Sequence, residues 1–412
     1  MRVLVTAYSC EPHKGSEPGA GWNWVRQIAT HYECHLITRE NNVAAIEKAA
    51  REQGLTGLTV HGYDLPRWAR FWKRGQRGSS LYYYLWQLGF VRLAKQLDRK
   101  LDFDVVHHVT YVANYLPSGL AFLGKPFVWG PVGQHPRIPA ALIPERSLRL
   151  QFTEACKAGV KWAFRYLDPL FRKTLRSSDL ILSLSRPFED SLDGASSKKL
   201  LAYSAVGVES AASLPREDET QESFEVLYSG RLVDLKGVRL ALAAFAEFAH
   251  EVPTARFRLL GKGPLEATLV QMAEDLGVAE RVVFEGEISH DDALEAMRDA
   301  DVFLFPSFEG AGMVVIEAMA ACTPVLCLDF GGPGRMVSDD RGLRVSVGES
   351  IEQTVQSLTS GLRLLHRDAG LRERINRAGL EWVQSHMTWE AKGKRLEGFY
   401  TRAIQHRKQQ AA

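Results

Sequence analysis

The chain has 412 residues, of which 45% are hydrophobic and 24% charged, a composition typical of a soluble globular protein with two domains. Its formal net charge of +2 hides an asymmetry, because residues 1–200 hold 28 Lys and Arg against 17 Asp and Glu, whereas the remainder hold 23 against 32. No window approaches the roughly 18 consecutive apolar residues of a membrane-spanning helix, and the run MRVLVTAYSC predicts a strand rather than a signal peptide.

Short β-rich runs alternate with helical patterns through the first half of the chain. The strand candidates, in chain order, are MRVLVTA, CHLITR, LTVHGY, FDVVHHV, KPFVWG and DLILSLS. The stretch GAGWNWVRQIATHY, which follows the first of them, has the apolar spacing of an amphipathic helix. We therefore predict a first domain over residues 1–208 that is built on a parallel sheet.

Cations and aromatic residues are mixed in residues 65–77, LPRWARFWKRGQR, and the apolar stretch SSLYYYLWQLGF follows them. This mixture suits contact with an anionic membrane surface or with a lipid-linked acceptor. A pair of helices packed in the core would give the same pattern, and both interpretations stay open. No nucleic-acid-binding motif accompanies the charge, which argues against a nucleic-acid partner.

The polar stretch at residues 209–223 has the composition of an interdomain linker, and a second alternating pattern follows it over residues 224–388. Its strand candidates are FEVLYSG, ARFRLLG, RVVFEG, ADVFLFP and TPVLCLD, and its helices are GVRLALAAFAEFAHEV, PLEATLVQMAEDLG and SHDDALEAMRDA. Ser289 and Asp292 form a predicted capping pair. Buried strands separated by single helices indicate a doubly wound parallel sheet in each domain. The last segment, TWEAKGKRLEGFYTRAIQ, is predicted to be one long helix, which places a helix over residues 389–412.

Two turns of the second half carry groups that suit a phosphate. In SGRLVDLKG, residues 229–237, Arg231 and Lys236 flank a short loop after a strand and could converge on one anion. In GKGP, residues 261–264, the glycines permit close backbone approach to a ligand. Two surface cations on a turn, and a tight turn that needs glycine for its own geometry, are the simpler alternatives.

The stretch FPSFEGAGMVVIEAMAACTPV places Glu309 and Glu317 eight residues apart around a turn that begins at Gly310. Eight residues on a mostly helical path span at most ~12 Å, about the reach from a sugar across a diphosphate to a ribose. The small residues leave the first N–H groups of the helix open to phosphate. A retaining hydrolase would need carboxyl groups about 5–5.5 Å apart, so binding roles are favoured for the two glutamates. A dipole-stabilised Glu309 and a surface Glu317 are the structural alternative.

The order GRLVDLKG, GKGP, EGAGMVVIE and AMAACTPV resembles the retaining family-4 glycosyltransferases of the GT-B fold, the glycosyl transferases group 1. The resemblance covers the whole second half. The first half is similar less closely, through GSEPGAGW, FDVVHHV and a C-terminal helix with Trp389 and Tyr400. The resemblance implies an α/β architecture of two doubly wound Rossmann-like domains that face a central cleft, with the C-terminal helix crossing back to the first domain.

The resemblance also implies a nucleotide-diphosphate sugar as donor, with no other cofactor and no obligatory metal. Arg231 and Lys236 would neutralise the diphosphate, Glu309 would contact the donor sugar, and these three are the implied catalytic residues. The implied donor-binding residues are Glu317 on the ribose, with Gly19, Gly21, Gly230, Gly261, Gly263, Pro264, Gly310, Gly312, Met313 and Val314. Candidates on the acceptor side or in catalysis are Gly130, Gly133, His108 and His135.

Some positions depart from the pattern of the family. Many members carry a histidine near the reacting centre where this chain has Val132. His135 lies three residues further on, and His107 and His108 end another strand of the same domain, where a structural role is an equal alternative. Cys322 stands where glycine is usual, and Arg335 where glutamate is frequent.

The function implied by the resemblance is retaining transfer of a sugar to a saccharide or lipid-linked acceptor, in cell-surface polysaccharide or glycolipid synthesis. A nucleotide-sugar epimerase, a phosphorylase or a catalytically silent sugar-nucleotide-binding protein would share the fold. A dinucleotide-dependent oxidoreductase would need GxGxxG after the first strand, and GSEPGAGW lacks that spacing. Five scattered cysteines without a CxxC pair predict reduced thiols and a cytoplasmic protein. The basic and aromatic segment after residue 65 adds the expectation that the protein is peripheral on the inner face of the membrane.

Overall fold

A computed structural model describes residues 1–73, 78–133, 136–142, 148–211 and 223–411, which divide into two units. The first unit comprises Met1–Gln134, Arg146–Ala205 and Lys392–Ala412, and the second comprises His135–Glu145 and Val206–Ala391. The described residues 136–142, which the sequence pattern placed in the first domain, therefore group with the second unit. Most of the predicted linker, residues 209–223, lies outside the described residues.

Within the described residues, the first unit contains a seven-stranded parallel sheet in the order β3-β2-β1-β4-β5-β6-β7. Its strands β1 to β7 are Arg2–Ala7, Glu33–Thr38, Leu58–Gly62, Val105–Thr110, Phe127–Val132, Leu180–Ser183 and Leu200–Ala202. The helices α1 to α9 are Ser16–His31, Val43–Glu52, Arg67–Arg70, Ser79–Gly89, Val91–Leu101, Leu148–Leu167, Pro169–Ser177, Arg186–Glu189 and Gly194–Ser197. All six predicted strands are confirmed. The additional strand β7 is too short to show a pattern in the sequence.

Burial explains why this sheet forms from these residues. Every residue of β4 and of β5 is buried, which is expected of central strands covered by helices on both faces. The strands β1 and β2 are buried after their first residue. Such strands read as continuous apolar runs rather than as alternating ones, and this was the pattern visible in the sequence.

The two parts of the basic and aromatic segment at residues 65–90 differ in burial, and each part supports a different interpretation. In α4, Tyr82, Tyr83 and Trp86 are buried in the core of the first unit, so this helix is core-packed. In the segment that precedes it, Trp68 and Phe71 are each 78% exposed. The core interpretation is therefore confirmed for α4, whereas the earlier aromatic residues remain available to a partner.

The described part of the second unit contains a six-stranded parallel sheet in the order β10-β9-β8-β11-β12-β13. Its strands β8 to β13 are Phe224–Ser229, Ala255–Leu260, Val282–Gly286, Val302–Phe305, Val325–Leu328 and Leu343–Val345. The helices α10 to α16 are Val238–Glu251, Glu266–Asp275, His290–Asp299, Met313–Ala320, Pro333–Met336, Ile351–Arg367 and Ala369–His386. The Ser289 side chain accepts a hydrogen bond from the N–H of Asp292 at 3.1 Å, so the predicted capping pair is confirmed. Short 3₁₀ helices occur at Glu40–Asn42, Gly119–Phe122, Ala140–Leu142, Asp234–Lys236 and Ala279–Arg281.

The chain ends in two helices, α17 at Trp389–Lys394 and α18 at Leu396–Ala411, where the sequence predicted one. The second of them belongs to the first unit, as predicted. Its attachment centres on Asp179, a carboxylate only 1% exposed that accepts from His406 at 2.8 Å and from Arg407 at 2.9 Å. Charge-assisted bonds of this kind hold best where water is excluded, so Asp179 anchors the end of the chain to the sheet.

Two further observations complete the fold. Cys322, the residue that stands where glycine is usual, has φ of 63°, the left-handed conformation that glycine adopts with least strain. None of the five cysteines, all of which lie in described ranges, forms a disulfide. No helix in the described ranges combines the length and the apolar character that a membrane crossing requires.

Candidate functional site

The strands β8 and β11 are neighbours in the second sheet, but the chain leaves β8 towards β9 and leaves β11 towards β12. Loops that follow such a pair of strands diverge and leave a crevice at the carboxyl edge, where doubly wound sheets bind their ligands. The turn after β8, residues 230–237, and the turn after β11, residues 306–312, border this crevice. The structure thus places the motifs of Lys236 and Glu309 side by side.

An ion pair joins the two turns. Nζ of Lys236 donates to Oε2 of Glu309, whose residue is only 6% exposed. The other carboxylate oxygen, Oε1, is buried and has no hydrogen-bond partner among the described residues. Leaving a buried acceptor unbonded costs about 1–3 kcal/mol, so this oxygen is suited to accept a hydrogen bond from a ligand hydroxyl.

The start of α13 faces the same turn. Gly312, the residue before this helix, has φ of 75°, and a Cβ at this position would lie 2.9 Å from the end of the Met336 side chain. Glycine adopts this left-handed backbone conformation with the least strain, and it has no side chain with which to cap the helix. The first N–H groups of the helix, on Met313 and Val314, stand at the positive end of the helix dipole, which is an anion-binding arrangement.

Glu317 lies in the second turn of α13 and is half-buried. Burial raises the pKa of its carboxyl, and the positive charges of His290 and Lys236 act in the opposite direction. The Lys236 ammonium therefore interacts electrostatically with both predicted carboxylates. This excludes the interpretation of Glu317 as an ordinary surface residue.

The glycines of GKGP are explained by close backbone contacts within the second unit. Gly261 has φ of 118°, and a Cβ on it would lie 2.3 Å from the carbonyl oxygen of Gly230. A Cβ on Gly263 would lie 2.3 Å from the carbonyl oxygen of Leu232. The turns after β8 and β9 thus approach each other backbone to backbone, which is the simpler explanation weighed for these residues. The implied donor contacts of Gly230, Gly261, Gly263 and Pro264 stay predictions.

Arg231 is solvent-exposed, in contrast to the half-buried Lys236 in the same turn. Its carbonyl oxygen accepts a hydrogen bond from the Tyr228 hydroxyl at 3.4 Å, which fixes the backbone of the turn but not the guanidinium. A long exposed side chain can reach an anion at the mouth of the crevice. The role of Arg231 on the diphosphate stays a prediction.

The two implied donor-binding glycines of the first unit are helical. Gly19 and Gly21 lie inside α1, which begins at Ser16. A Cβ on Gly19 would lie 1.8 Å from the carbonyl oxygen of Lys14, and a Cβ on Gly21 would lie 2.1 Å from that of Ser9. These glycines let the helix pack against the backbone that precedes it, and their predicted contact with donor phosphates is untested.

His108 is 1% exposed and makes its contacts inside the first unit. Its Nδ1 lies 3.1 Å from the Ser118 hydroxyl, and its Nε2 lies 3.3 Å from the Tyr83 hydroxyl. Burial lowers the pKa of this imidazole to about 3. A buried, neutral and hydrogen-bonded histidine at the end of β4 has the properties of a structural residue, and these contacts support that alternative for His108.

The position where many members of the family carry a histidine is buried in this protein. Val132 is the last residue of β5 and is 2% exposed. Gly130, in the same strand, has φ of 119°, and a Cβ on it would lie 2.3 Å from the carbonyl oxygen of Leu182. Gly133 follows the strand, and its carbonyl accepts from the N–H of Asn114 at 3.2 Å. His135 lies outside the described residues, so its candidacy stays a prediction.

Glu17 is a polar residue of the first unit that the sequence analysis did not identify. Its carboxylate accepts a hydrogen bond from the N–H of Val112 at 2.5 Å, and burial raises its pKa to about 7. The signal in the sequence was weak, because GSEPGAGW offers one acidic residue among glycines and any surface helix start carries such a residue. Its raised pKa follows from the fold rather than from the local sequence.

Comparisons with known proteins place these motifs in a family. A model of the family described as glycosyl transferases group 1 matches residues 212–382. A GDP-mannose-dependent alpha-(1-6)-phosphatidylinositol monomannoside mannosyltransferase from Mycolicibacterium smegmatis is 32% identical over 179 residues, which are 42% of this chain and 46% of that protein. The chain thus matches about half the length of this curated relative.

Solved structures match nearly the whole chain. Alr3699/HepE from Anabaena, solved in complex with UDP, superposes with a TM-score of 0.63 at 16% identity, over 97% of this chain and 100% of that one. A glycosyltransferase from Rickettsia africae superposes with a TM-score of 0.62 at 14% identity, over 98% of both chains. At such identities the likeness establishes the fold, which is the GT-B fold of two Rossmann-like domains. The comparisons therefore show that residues 212–382 are similar to the glycosyl transferases group 1 family, and that the chain has the GT-B fold.

Proposed function

We propose that this protein is a retaining glycosyltransferase that moves a hexose from a nucleotide-diphosphate sugar to a saccharide or lipid-linked acceptor, in glycolipid or polysaccharide synthesis. The observation that carries the proposal is the Lys236–Glu309 ion pair at the crevice between β8 and β11, with Glu309 Oε1 left unbonded. A cation, a hydroxyl acceptor and a helix start adjoin one another there. These are the groups that a sugar diphosphate requires.

In this proposal the second unit stabilises the leaving group. As the bond between the anomeric carbon and the phosphate loosens, negative charge builds on the diphosphate, and Lys236, Arg231 and the first N–H groups of α13 stabilise it. Glu309 accepts hydrogen bonds from hydroxyls of the donor sugar, and Glu317 from the ribose. The leaving phosphate itself takes the proton of the acceptor hydroxyl, so the sugar is transferred on one face without a protein nucleophile.

The proposal names the chemical class of the donor and of the acceptor, and not the individual compounds. The mannosyltransferase relative is named for GDP-mannose and for a phosphatidylinositol mannoside, whereas the Anabaena structure contains UDP. The relatives therefore support a nucleotide sugar without fixing its base. The lipid-linked acceptor in the name of the mannosyltransferase supports the proposal that the acceptor of this protein lies at a membrane surface.

Peripheral membrane attachment is part of the proposal, and exposed aromatic residues of the first unit support it. Besides Trp68 and Phe71, Trp162 and Tyr166 on α6 are 57% and 47% exposed. Both segments pack against α4, since the Trp72 and Phe164 rings lie 6.4 Å and 5.5 Å from the Tyr82 and Tyr84 rings. We call Trp68, Phe71, Trp162 and Tyr166 the aromatic face. Exposed aromatic side chains beside cations favour the interface of an anionic membrane.

The donor assignment is tested by thermal unfolding with a panel of UDP-, GDP- and ADP-sugars. We expect one class of donor to raise the Tm by roughly 4–8 °C at about 100 times its Kd, because binding to the native state alone stabilises it by about 2.7 kcal/mol. Lys236→Ala should abolish this shift because it removes the cation, and Glu309→Ala should reduce it.

Arg363→Ala is the matched control, since it removes an ion pair with Glu251 at the C-terminal end of α10, away from the carboxyl edge of the sheet. It should keep the full donor shift. The absence of any shift in the wild-type protein across the panel would contradict the proposal, as would an equal loss in the control and in Lys236→Ala.

A further inference from the structure

The sheet of the first unit has its own point of divergence at the carboxyl edge, between β1 and β4. The chain leaves β1 towards β2 and leaves β4 towards β5, so the loops after β1 and β4 border a crevice. The loop after β1 leads into α1, and Glu17 in the first turn of that helix accepts a hydrogen bond from the N–H of Val112 in the loop after β4. The hydrogen bond between Glu17 and Val112 therefore joins the two sides of this crevice.

The carboxyl group of Glu17 is accessible to a ligand, and most of its hydrogen-bonding capacity is unused. The residue is half-buried, so a ligand can reach it, yet burial raises its pKa to about 7. Within the described residues its carboxyl forms no ion pair, and it accepts a hydrogen bond from the N–H of Val112. A carboxylate has two oxygens and about four acceptor positions, so one N–H leaves most of its capacity unused.

Aromatic rings line the same edge. The Tyr111 ring, next to Val112, lies 5.0 Å from the Tyr83 ring and 6.0 Å from the Tyr8 ring. Tyr111 is half-buried, and after burial the negative charge of Glu17 is the largest contribution that raises its pKa to about 12. A flat ring beside a carboxylate matches a sugar, which has an apolar C–H face and hydroxyl groups at its rim.

A second unused polar group lies close in the chain. The side chain of Asn114 is fully buried, and neither its Oδ1 nor its Nδ2 has a hydrogen-bond partner among the described residues. Its backbone N–H is bonded to Gly133, which ties the loop after β4 to the end of β5. The loop that donates the hydrogen bond to Glu17 therefore also holds an amide whose polar atoms are unsatisfied, which is typical of a site that awaits a polar partner.

We propose that Glu17 and Tyr111 form a binding subsite for one hexose ring of the acceptor, in which the Glu17 carboxylate accepts a hydrogen bond from an acceptor hydroxyl and the Tyr111 ring covers its C–H face. The inference rests on the proposed function, since it names the acceptor side of that reaction. The competing explanation is that Glu17 only ties α1 to the loop after β4.

Glu17→Gln separates the two explanations, because the amide oxygen still accepts from Val112 while the negative charge is lost. Using the donor found in the panel, transfer to methyl α-D-glucoside, galactoside, mannoside and N-acetylglucosaminide is measured beside donor hydrolysis. For the glycoside that is used, we expect KM to rise roughly tenfold, since hydrogen bonds to charged acceptors are about twice as strong. The kcat, the rate of donor hydrolysis and the Tm shift with donor should stay within about twofold of their wild-type values.

Tyr111→Leu should raise the same KM, and Glu52→Gln, a surface substitution on α2, should change nothing. An unchanged KM in Glu17→Gln would overturn the inference, and so would a parallel loss of transfer, hydrolysis and thermal stability, which indicates a structural tie. If the wild-type protein hydrolyses the donor but uses none of the glycosides, the subsite is also refuted while donor binding stands. Failure of the proposed function is distinguishable from all of these, because the wild-type protein would then neither bind nor hydrolyse any donor.

Discussion

Lys236→Ala is expected to lower kcat/KM for sugar transfer by on the order of 10²–10³, the effect typical of removing one preorganised group that stabilises transition-state charge. In the free protein this ammonium is already held by Glu309, so no side-chain reorganisation is needed when charge develops on the diphosphate. The loss should appear in kcat as well as in KM, because the charge on the leaving group is greatest in the transition state. Steady-state kinetics with the stabilising donor measures both.

Removal of the lysine also leaves Glu309 as a buried charge without its partner, which can destabilise a protein by about 3–5 kcal/mol. The double variant Lys236→Met with Glu309→Gln removes both charges and keeps the side-chain volumes similar. It should recover thermal stability without recovering activity. If the double variant were as active as the wild-type protein, the ion pair would be a structural feature and the catalytic role of Lys236 would be wrong.

Replacing Trp68 and Phe71 together by serine is expected to weaken binding to anionic vesicles on the order of 100-fold. Each of these side chains is 78% exposed, and inserting a large aromatic side chain into an apolar phase contributes about 1.5–3 kcal/mol when burial is complete. Partial insertion of two rings then corresponds to about two factors of ten in affinity. Co-sedimentation with phosphatidylcholine vesicles that contain phosphatidylglycerol measures the effect.

The matched control is Leu364→Ser, which removes an exposed apolar side chain from α15 of the second unit. It should leave vesicle binding unchanged. Adding Trp162→Ser to the double variant should reduce binding further, since that residue belongs to the aromatic face. A wild-type protein that does not bind anionic vesicles at low ionic strength would refute peripheral attachment and leave the donor site unaffected.

The part of the fold that repeats a clear pattern could be predicted from the sequence. Central strands such as Phe127–Val132 are buried on both faces, so their apolar runs are visible without tertiary information. The three-residue strands β7 and β13 could not be predicted, because their pairing depends on neighbours already in place. The division of the last helix into α17 and α18 was also not predicted, although Gly393 lies two residues before the break at Arg395, because a single glycine near a helix end does not by itself interrupt a helical pattern.

The site was predictable in its residue types and not in its geometry. Spacing and turn chemistry singled out Lys236 and Glu309, but they are 73 positions apart, and only the adjacency of β8 and β11 brings them into contact. The resemblance assigned Gly19 and Gly21 to the donor phosphates, and only the fold shows that both also permit close packing of α1 against the preceding backbone. The importance of Glu17 depends on the loss of solvent and on an N–H from a distant loop, which local sequence cannot show.

The most direct test is a crystal structure of the protein with the nucleoside diphosphate of the stabilising donor. The account predicts that Nζ of Lys236 lies about 3 Å from a phosphate oxygen, and that the same diphosphate accepts hydrogen bonds from the N–H groups of Met313 or Val314. A diphosphate bound elsewhere in the chain, with no phosphate oxygen in contact with Lys236 or with the start of α13, would contradict the account.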